Sequence, residues 1–316
     1  MSKPLRVAAA QIAPVWLDRQ KTLERVVEYI EQAAVSGVEL IAFGECLVPG
    51  YPFWVERTDG ARFDSRLQKD LFAHYVDQAV TIEDGHLQPV CEAARRNAVA
   101  VILGILERPD DRGESVYACA VSIDQSGEIV AIQRKLMPTH EERLVWAIGD
   151  GHGLRTHKVG AFTVGALNCW ENWMPLARSA LQAQGEDLHV AIWPGNPRNT
   201  REITRFMALE GRSFVLSVSG LMRAQDLPDT LLHAGALKQA AVDMPWAAGG
   251  SCLAGPDGRW LIEPGDSEGL LIADIDPAEV RRARHNFDPT GHYSRPDVFK
   301  LHVNRRRQSI GEFSDE

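Results

Sequence analysis

Short strand-like runs recur along the whole chain, at residues 6–12, 40–44, 98–106, 117–124, 129–135, 162–168, 189–194, 214–219, 251–254 and 270–275. Several are rich in Val and Ile and end at Gly, Pro or Asp, residues that interrupt a strand. Between some of them lie segments of helical period. In 18–36, Leu23, Val26, Val27, Ile30, Ala33 and Ala34 make one apolar stripe, with Glu24, Arg25, Glu28 and Glu31 on the other side. Residues 65–78, 87–96, 175–183 and 200–212 are further expected helices. Gln125-Ser126-Gly127-Glu128 and Gly255-Pro256-Asp257-Gly258 each join two runs as a hairpin turn. Hairpins among strand–helix units argue against a purely parallel doubly wound sheet. They predict an α/β (α+β) chain whose helices cover one face of mixed sheets while the other faces pack together.

The 316 residues contain no repeat, low-complexity tract or linker before residue 285. One domain over 1–284 is expected, then an arm, 285–316, that turns polar and packs on the body or on another subunit. The net charge of −9 argues against nucleic-acid and anionic-membrane partners, because both repel an acidic surface. Arg305-Arg306-Arg307, the one basic cluster, reads as a solvated tail or an intersubunit contact. The apolar stretch after Arg6 breaks at Gln11, too soon for a secretory core, and runs such as 99–106 are too short to span a bilayer. Five cysteines without CxxC or Cys/His spacing suggest neither a disulfide framework nor a metal site. A cytoplasmic protein with reduced thiols is the expectation.

A thiol that does chemistry needs partial exposure, a positive setting and a group to take its proton. Cys91 lies in an amphipathic helix and Cys119 in an apolar run, both ordinary places for a small core residue. Cys252 sits on a Gly-flanked strand, and Cys46 follows an acidic residue with nothing basic beside it. Cys169 ends a strand, and Pro175 is placed to open a helix soon after. The positive end of such a helix favours thiolate. A buried structural Cys beside a core Trp is the alternative these residues leave open. Two other strand ends carry charge, at Glu45 and at Lys135. Single edge charges are usually just solvated, but strand ends bearing Glu, Lys and Cys can converge on one pocket.

Those residues sit in longer stretches that follow one another in order. They are Phe43-Gly44-Glu45-Cys46-Leu47-Val48-Pro49-Gly50-Tyr51-Pro52, Arg134-Lys135-Leu136-Met137-Pro138-Thr139-His140-Glu141-Glu142-Arg143, Gly149-Asp150-Gly151 and Asn168-Cys169-Trp170-Glu171-Asn172. Leu209-Glu210-Gly211-Arg212, Gly249-Gly250-Ser251 and Gly291-His292-Tyr293-Ser294-Arg295-Pro296-Asp297 follow. Together they resemble the nitrilase branch of the carbon–nitrogen hydrolase superfamily. The resemblance implies Glu45, Lys135 and Cys169 as a catalytic triad, with Glu142 as a second glutamate. It implies a four-layer αββα sandwich of two mixed β-sheets, and dimers joined through sheet-covering helices that often build larger, spiral homo-oligomers. Gly44 and Cys46 depart from the Pro and Ala common in the family, which bears on the tightness of that turn.

The reaction so implied is hydrolysis of a small-molecule nitrile by water, with Cys169 as nucleophile, Glu45 as general base and Lys135 as electrostatic partner. The Trp170 N–H is a second oxyanion donor by the same resemblance. Tyr51, Trp54, Trp146, Trp170 and Trp173 are candidate lining of a substrate pocket, each equally a core residue on its own. No metal or other cofactor is expected, and neither a P-loop nor a GxGxxG motif is present. Glu142, seven residues after Lys135, is expected to orient Lys135 or the water; its plainer reading is a surface carboxylate beside Arg143. Glu210, on the apolar stripe of its helix with Ile203, Phe206 and Met207, is expected in a structural salt bridge or cap. An amidase would carry the same triad. A silent scaffold would be expected to have lost one of its members.

Overall fold

Alternation along the first strand decides the architecture. In β1 (Leu5–Gln11), Leu5, Val7 and Ala9 face one core and Ala8 and Ala10 another. A strand buried on both faces lies between two layers. The structure, a computed structural model, describes residues 3–241 and 245–311; the outermost residues of the expected domain and arm, 1–2 and 312–316, lie outside them.

Strands β1, β2 (Leu40–Phe43), β3 (Ala100–Glu107), β4 (Tyr117–Ile123) and β5 (Ile129–Arg134) lie side by side in one sheet. A second sheet contains β6 (His157–Val159), β7 (Phe162–Asn168), β8 (Leu188–Trp193) and β9 (Phe214–Ser219). Strands β10 (Leu221–Met222) and β11 (Ala247–Ala248) form a separate ribbon, while β12 (Ser251–Ala254) and β13 (Trp260–Gly265) complete the second sheet. The chain then returns to the first sheet as β14 (Gly269–Ile275), antiparallel to β1. Both six-stranded sheets are mixed: β1-β2-β3 and β7-β8-β9 run parallel, their neighbours antiparallel.

Helix α1 (Arg19–Val35) starts at Asp18, whose carboxylate accepts the Lys21 N–H at 3.0 Å. After α2 (Trp54–Arg57) and α3 (Arg66–Asp77) comes α4 (Gln88–Asn97), which with α1 covers the first sheet through Val26, Ile30, Val90 and Ala94. On the second sheet, α5 (Pro175–Gln182) packs Ala177 and Leu181 over Leu167, and α6 (Pro197–Gly211) packs Ile203 and Met207 over Ala191 and Val215. The inner faces meet, with Val7, Leu40 and Ile102 in one cluster with Val164, Val190 and Leu216. The four layers are helix, sheet, sheet, helix, as the resemblance implies.

Helix α6 begins three residues before the expected position 200. Asn196 caps it and Pro197 has the fixed φ of a first turn. Phe206, expected on its buried stripe, is half exposed. Helices α7 (Ala234–Ala240) and α8 (Pro277–Asn286) and the strands β6, β10 and β11 were not expected. Helix α8 runs past the expected boundary at 284, and the arm then docks on the body: Arg307 pairs with Asp150 at 3.0 Å. No helix among the described residues is long and apolar enough to cross a membrane.

Candidate active site

Three strand ends deliver the site. The chain turns after β2, and the Glu45 N–H donates to the Trp193 carbonyl of β8 at 3.0 Å, which ties the turn to the second sheet. Gly104 of β3 lies so close beneath that a Cβ there would come within 2.0 Å of the Gly44 carbonyl oxygen. Lys135 follows β5 and donates its N–H to the Ala118 carbonyl at 2.8 Å. Cys169 opens a 3₁₀ turn, Cys169–Trp173, directly after β7, with φ +47°. Such a left-handed backbone is costly for a residue with a Cβ and persists only where the surroundings hold it. Glu142 sits in the 3₁₀ turn His140–Leu144, capped reciprocally with Thr139.

These elements bring one carboxylate oxygen of Glu45, one of Glu142 and the Cys169 sulfur within 4.8 Å of one another. The Lys135 ammonium is 2.9 Å from Glu45 Oε1 and 2.6 Å from Glu142 Oε2. Tyr51 donates its hydroxyl to Glu142 Oε1 at 2.6 Å, and the Trp146 ring lies 5.2 Å from the ammonium. Among the described residues, none gives either Glu45 oxygen a well-aligned hydrogen bond, close as Lys135 is. All four groups are at least 97 % buried, Cys169 being the most open at 3 % exposure.

Burial sets the proton balance. It pushes the Glu45 carboxyl up to about 8, against the pull of Lys135 and with the repulsion of Glu142. Burial also raises the Cys169 thiol well above its ordinary range; Glu45 adds to this, while Lys135 and the Trp170 N–H oppose it. Burial works against the Lys135 charge as well, but the carboxylates beside it outweigh burial and hold the ammonium. A buried lysine beside two carboxylates stays charged, and Glu45, whose oxygens have the weaker partners, has its carboxyl raised into the neutral range.

Several expectations change. Cys169 is buried, not partly exposed, and burial raises its thiol against the thiolate that a helix end would favour. Helix α5 starts at Pro175 only after the 3₁₀ turn, so Lys135 and the Trp170 N–H are the positive groups beside the sulfur. Of the two readings of Glu142, the plainer one as a surface partner of Arg143 gives way: it is a buried partner of Lys135. Tyr51 and Trp146 join the site. Trp54 packs instead on Trp16 and Tyr75 in the core behind it, and Trp170 and Trp173 are about half exposed, at 52 % and 48 %. Glu210 forms a paired contact with Arg178, at 2.7 and 3.0 Å.

Glu171, two residues after Cys169, has a structural part in the site. Its buried carboxylate accepts the N–H groups of Asn168 and Leu136 at 2.8 and 2.9 Å and the Gln133 amide at 2.8 Å. It thereby binds the Cys169 turn to the Lys135 turn. The Asn168-x-x-Glu171 spacing of a capping box was the available signal.

The carbon–nitrogen hydrolase profile matches residues 6–285. The chain belongs to the carbon–nitrogen hydrolase family. It is 37 % identical to an aliphatic nitrilase of Rhodococcus rhodochrous, over 96 % of this chain and 80 % of that one. It is 35 % identical to an arylacetonitrilase of Aspergillus niger, over 98 % of this chain and 91 % of the other. Among solved structures it is similar to a nitrilase-superfamily member of Saccharomyces cerevisiae, with a TM-score of 0.72 at 18 % identity, covering 93 % of this chain and 97 % of that one. That likeness shows the fold. The expected αββα sandwich is thus the fold of a carbon–nitrogen hydrolase.

Proposed function

We propose that this carbon–nitrogen hydrolase is a nitrilase, converting a small organic nitrile and water to a carboxylic acid and ammonia through a covalent intermediate on Cys169. The observation that carries the reading is the meeting of Cys169, Glu45, Lys135 and Glu142 in one buried cluster. The names of the similar nitrilases point the same way.

Glu45, with no aligned partner for its oxygens, takes the Cys169 proton as sulfur attacks the nitrile carbon. The nitrogen gains that proton, and the product is a thioimidate. Glu45 next activates a water that adds to the same carbon, giving a tetrahedral species bearing sulfur, oxygen and nitrogen. Lys135 and the Trp170 N–H stabilise the charge that develops there. Proton transfer to nitrogen expels ammonia and leaves a thioester. A second water, activated the same way, releases the acid and restores the thiol. Glu142 holds the Lys135 ammonium in place, and Tyr51 and Trp146 wall the site. The reading includes a homo-oligomer paired through α5 and α6, supported by their exposed Leu176, Phe206 and Leu209.

The test is ammonia release from a panel of nitriles and matching amides, with Cys169→Ala alongside. Turnover of nitriles to acids that vanishes in the variant is expected. Turnover of amides alone would make the protein an amidase, and turnover undiminished in Cys169→Ala would overturn the site.

A further inference from the structure

The Cys169 backbone has to be held in a left-handed conformation, and Glu171 holds the start of that turn through the Asn168 N–H. Below the turn runs a buried chain of polar groups that no catalytic step uses. Asn172 donates its amide nitrogen to the carbonyls of Cys169 at 2.8 Å and Leu167 at 3.3 Å. Those two acceptors fix the orientation of the amide, so its oxygen accepts from His189, whose Nε2 lies 2.7 Å away. His189 Nδ1 is 2.9 Å from Glu186 Oε1. The Asn172 carbonyl in turn accepts from Arg178 at 2.8 Å, and Arg178 is bound by Glu210. Asn172, His189 and Glu186 are all at least 97 % buried.

The strand that carries the nucleophile is shaped to admit this chain. Gly165 of β7 lies under the Glu186 carboxylate, and a Cβ there would come within 2.2 Å of Glu186 Oε1. Polar groups placed this deep are costly unless each finds its partner, and here the chain ends on the carbonyl of the residue bearing the sulfur.

We infer that Asn172 and His189 are positioning residues for the nucleophile: the Glu186–His189–Asn172 chain clasps the Cys169 carbonyl and keeps the turn left-handed, so that the sulfur faces Glu45 and Lys135. Without the clasp the turn relaxes toward ordinary backbone and carries the sulfur off line. The inference rests on the proposed role of Cys169. It concerns the folded enzyme at saturation, so the effect falls on kcat and leaves KM nearly unchanged.

The experiment compares His189→Phe, which cannot donate to Asn172, with His189→Gln, whose amide can. Val121→Ala, in the core of the other sheet, serves as a variant of similar stability loss. Two readings are taken well below every melting temperature: steady-state nitrile hydrolysis, and the rate at which iodoacetamide alkylates Cys169, located by peptide mass. His189→Phe is expected to lose about ten- to a hundredfold in kcat, the range a misplaced reacting group gives. Its alkylation rate should shift from that of the wild type, His189→Gln should recover most of both, and Val121→Ala should alter neither. Asn172→Ser, cut at the near end of the chain, carries the same comparison should His189→Phe fail to fold. Wild-type kcat and alkylation in the folded variants, or the same losses in Val121→Ala, would overturn the inference. Absence of any nitrile turnover by the wild type would count against the nitrilase reading alone, and the alkylation rates would still decide the clasp.

Discussion

Arg134 and Lys135 are consecutive residues where β5 ends, and both are buried cations facing carboxylates, yet their surroundings differ in kind. Arg134 meets Glu107 through two parallel hydrogen bonds of 2.6 and 2.7 Å, with the Tyr117 ring 4.4 Å below. Cys119 donates its thiol to the same carboxylate at 3.1 Å. Burial opposes the Arg134 charge, and the hydrogen bonds and attraction of Glu107 more than restore it. Lys135 meets two carboxylates at once, of which Glu142 is well bonded and Glu45 is not. A matched, bidentate pair is finished and has no capacity left for chemistry. A cation shared between two carboxylates leaves one of them able to take up and give back a proton. On the proposed reading, the same two charge types serve a structural purpose on one side of the strand end and a chemical one on the other.

The largest effect expected from breaking this contrast is on rate. Lys135→Met should lower kcat by on the order of 10²–10³ or more, as loss of an electrostatic stabiliser does, with the far-ultraviolet circular dichroism unchanged. Arg134→Met should do the reverse: equilibrium denaturation should show a loss of about 3–5 kcal/mol, the cost of an unpaired buried charge, with kcat of the folded fraction retained. Equal effects of the two variants on rate would erase the distinction.

Glu45 sharpens it through pH. Its carboxyl is raised to about 8 from 4.5 in the unfolded chain. A group raised on folding contributes stability that is full below the unfolded value and is lost as pH rises through the folded one. Glu45→Gln, which removes that loss, should gain melting temperature relative to the wild type on going from about pH 5 to about pH 9. A constant difference across that range would mean that Glu45 is ionised throughout. The smallest expected effect is that of Tyr51→Phe, which deletes one hydrogen bond to Glu142. About 1 kcal/mol is the usual scale for such a bond, read here as a severalfold drop in kcat.

Legibility in the sequence followed the physics of each part. Strands buried on both faces left apolar runs that no surface segment imitates, and with the partly exposed β5 and β14 the ten runs gave the sheets and their ends. Helix α8 buries only Pro277 and Val280, so its sequence carries no stripe to find. Strand β6 is three residues long, and β10 and β11 two each, below the length at which a period can be seen. In the site, Glu45, Lys135 and Cys169 were readable because each ends a strand and each sits in a distinctive motif. Which aromatic residues face the cluster was not, because Tyr51, Trp54 and Trp146 are all buried and only the packing of α2 separates them. The burial of Cys169 was unreadable for a related reason. A helix N-terminus can be inferred from Pro175, but the depth of burial that overrides it cannot.

The most direct test of the account is to mix enzyme with a turned-over nitrile, quench with acid in the steady state, and measure intact and peptide masses. An acyl or imidoyl adduct on the peptide containing Cys169, absent in Cys169→Ala together with ammonia release, is the predicted result. Continued ammonia release by Cys169→Ala, or an adduct on any other cysteine, would contradict it.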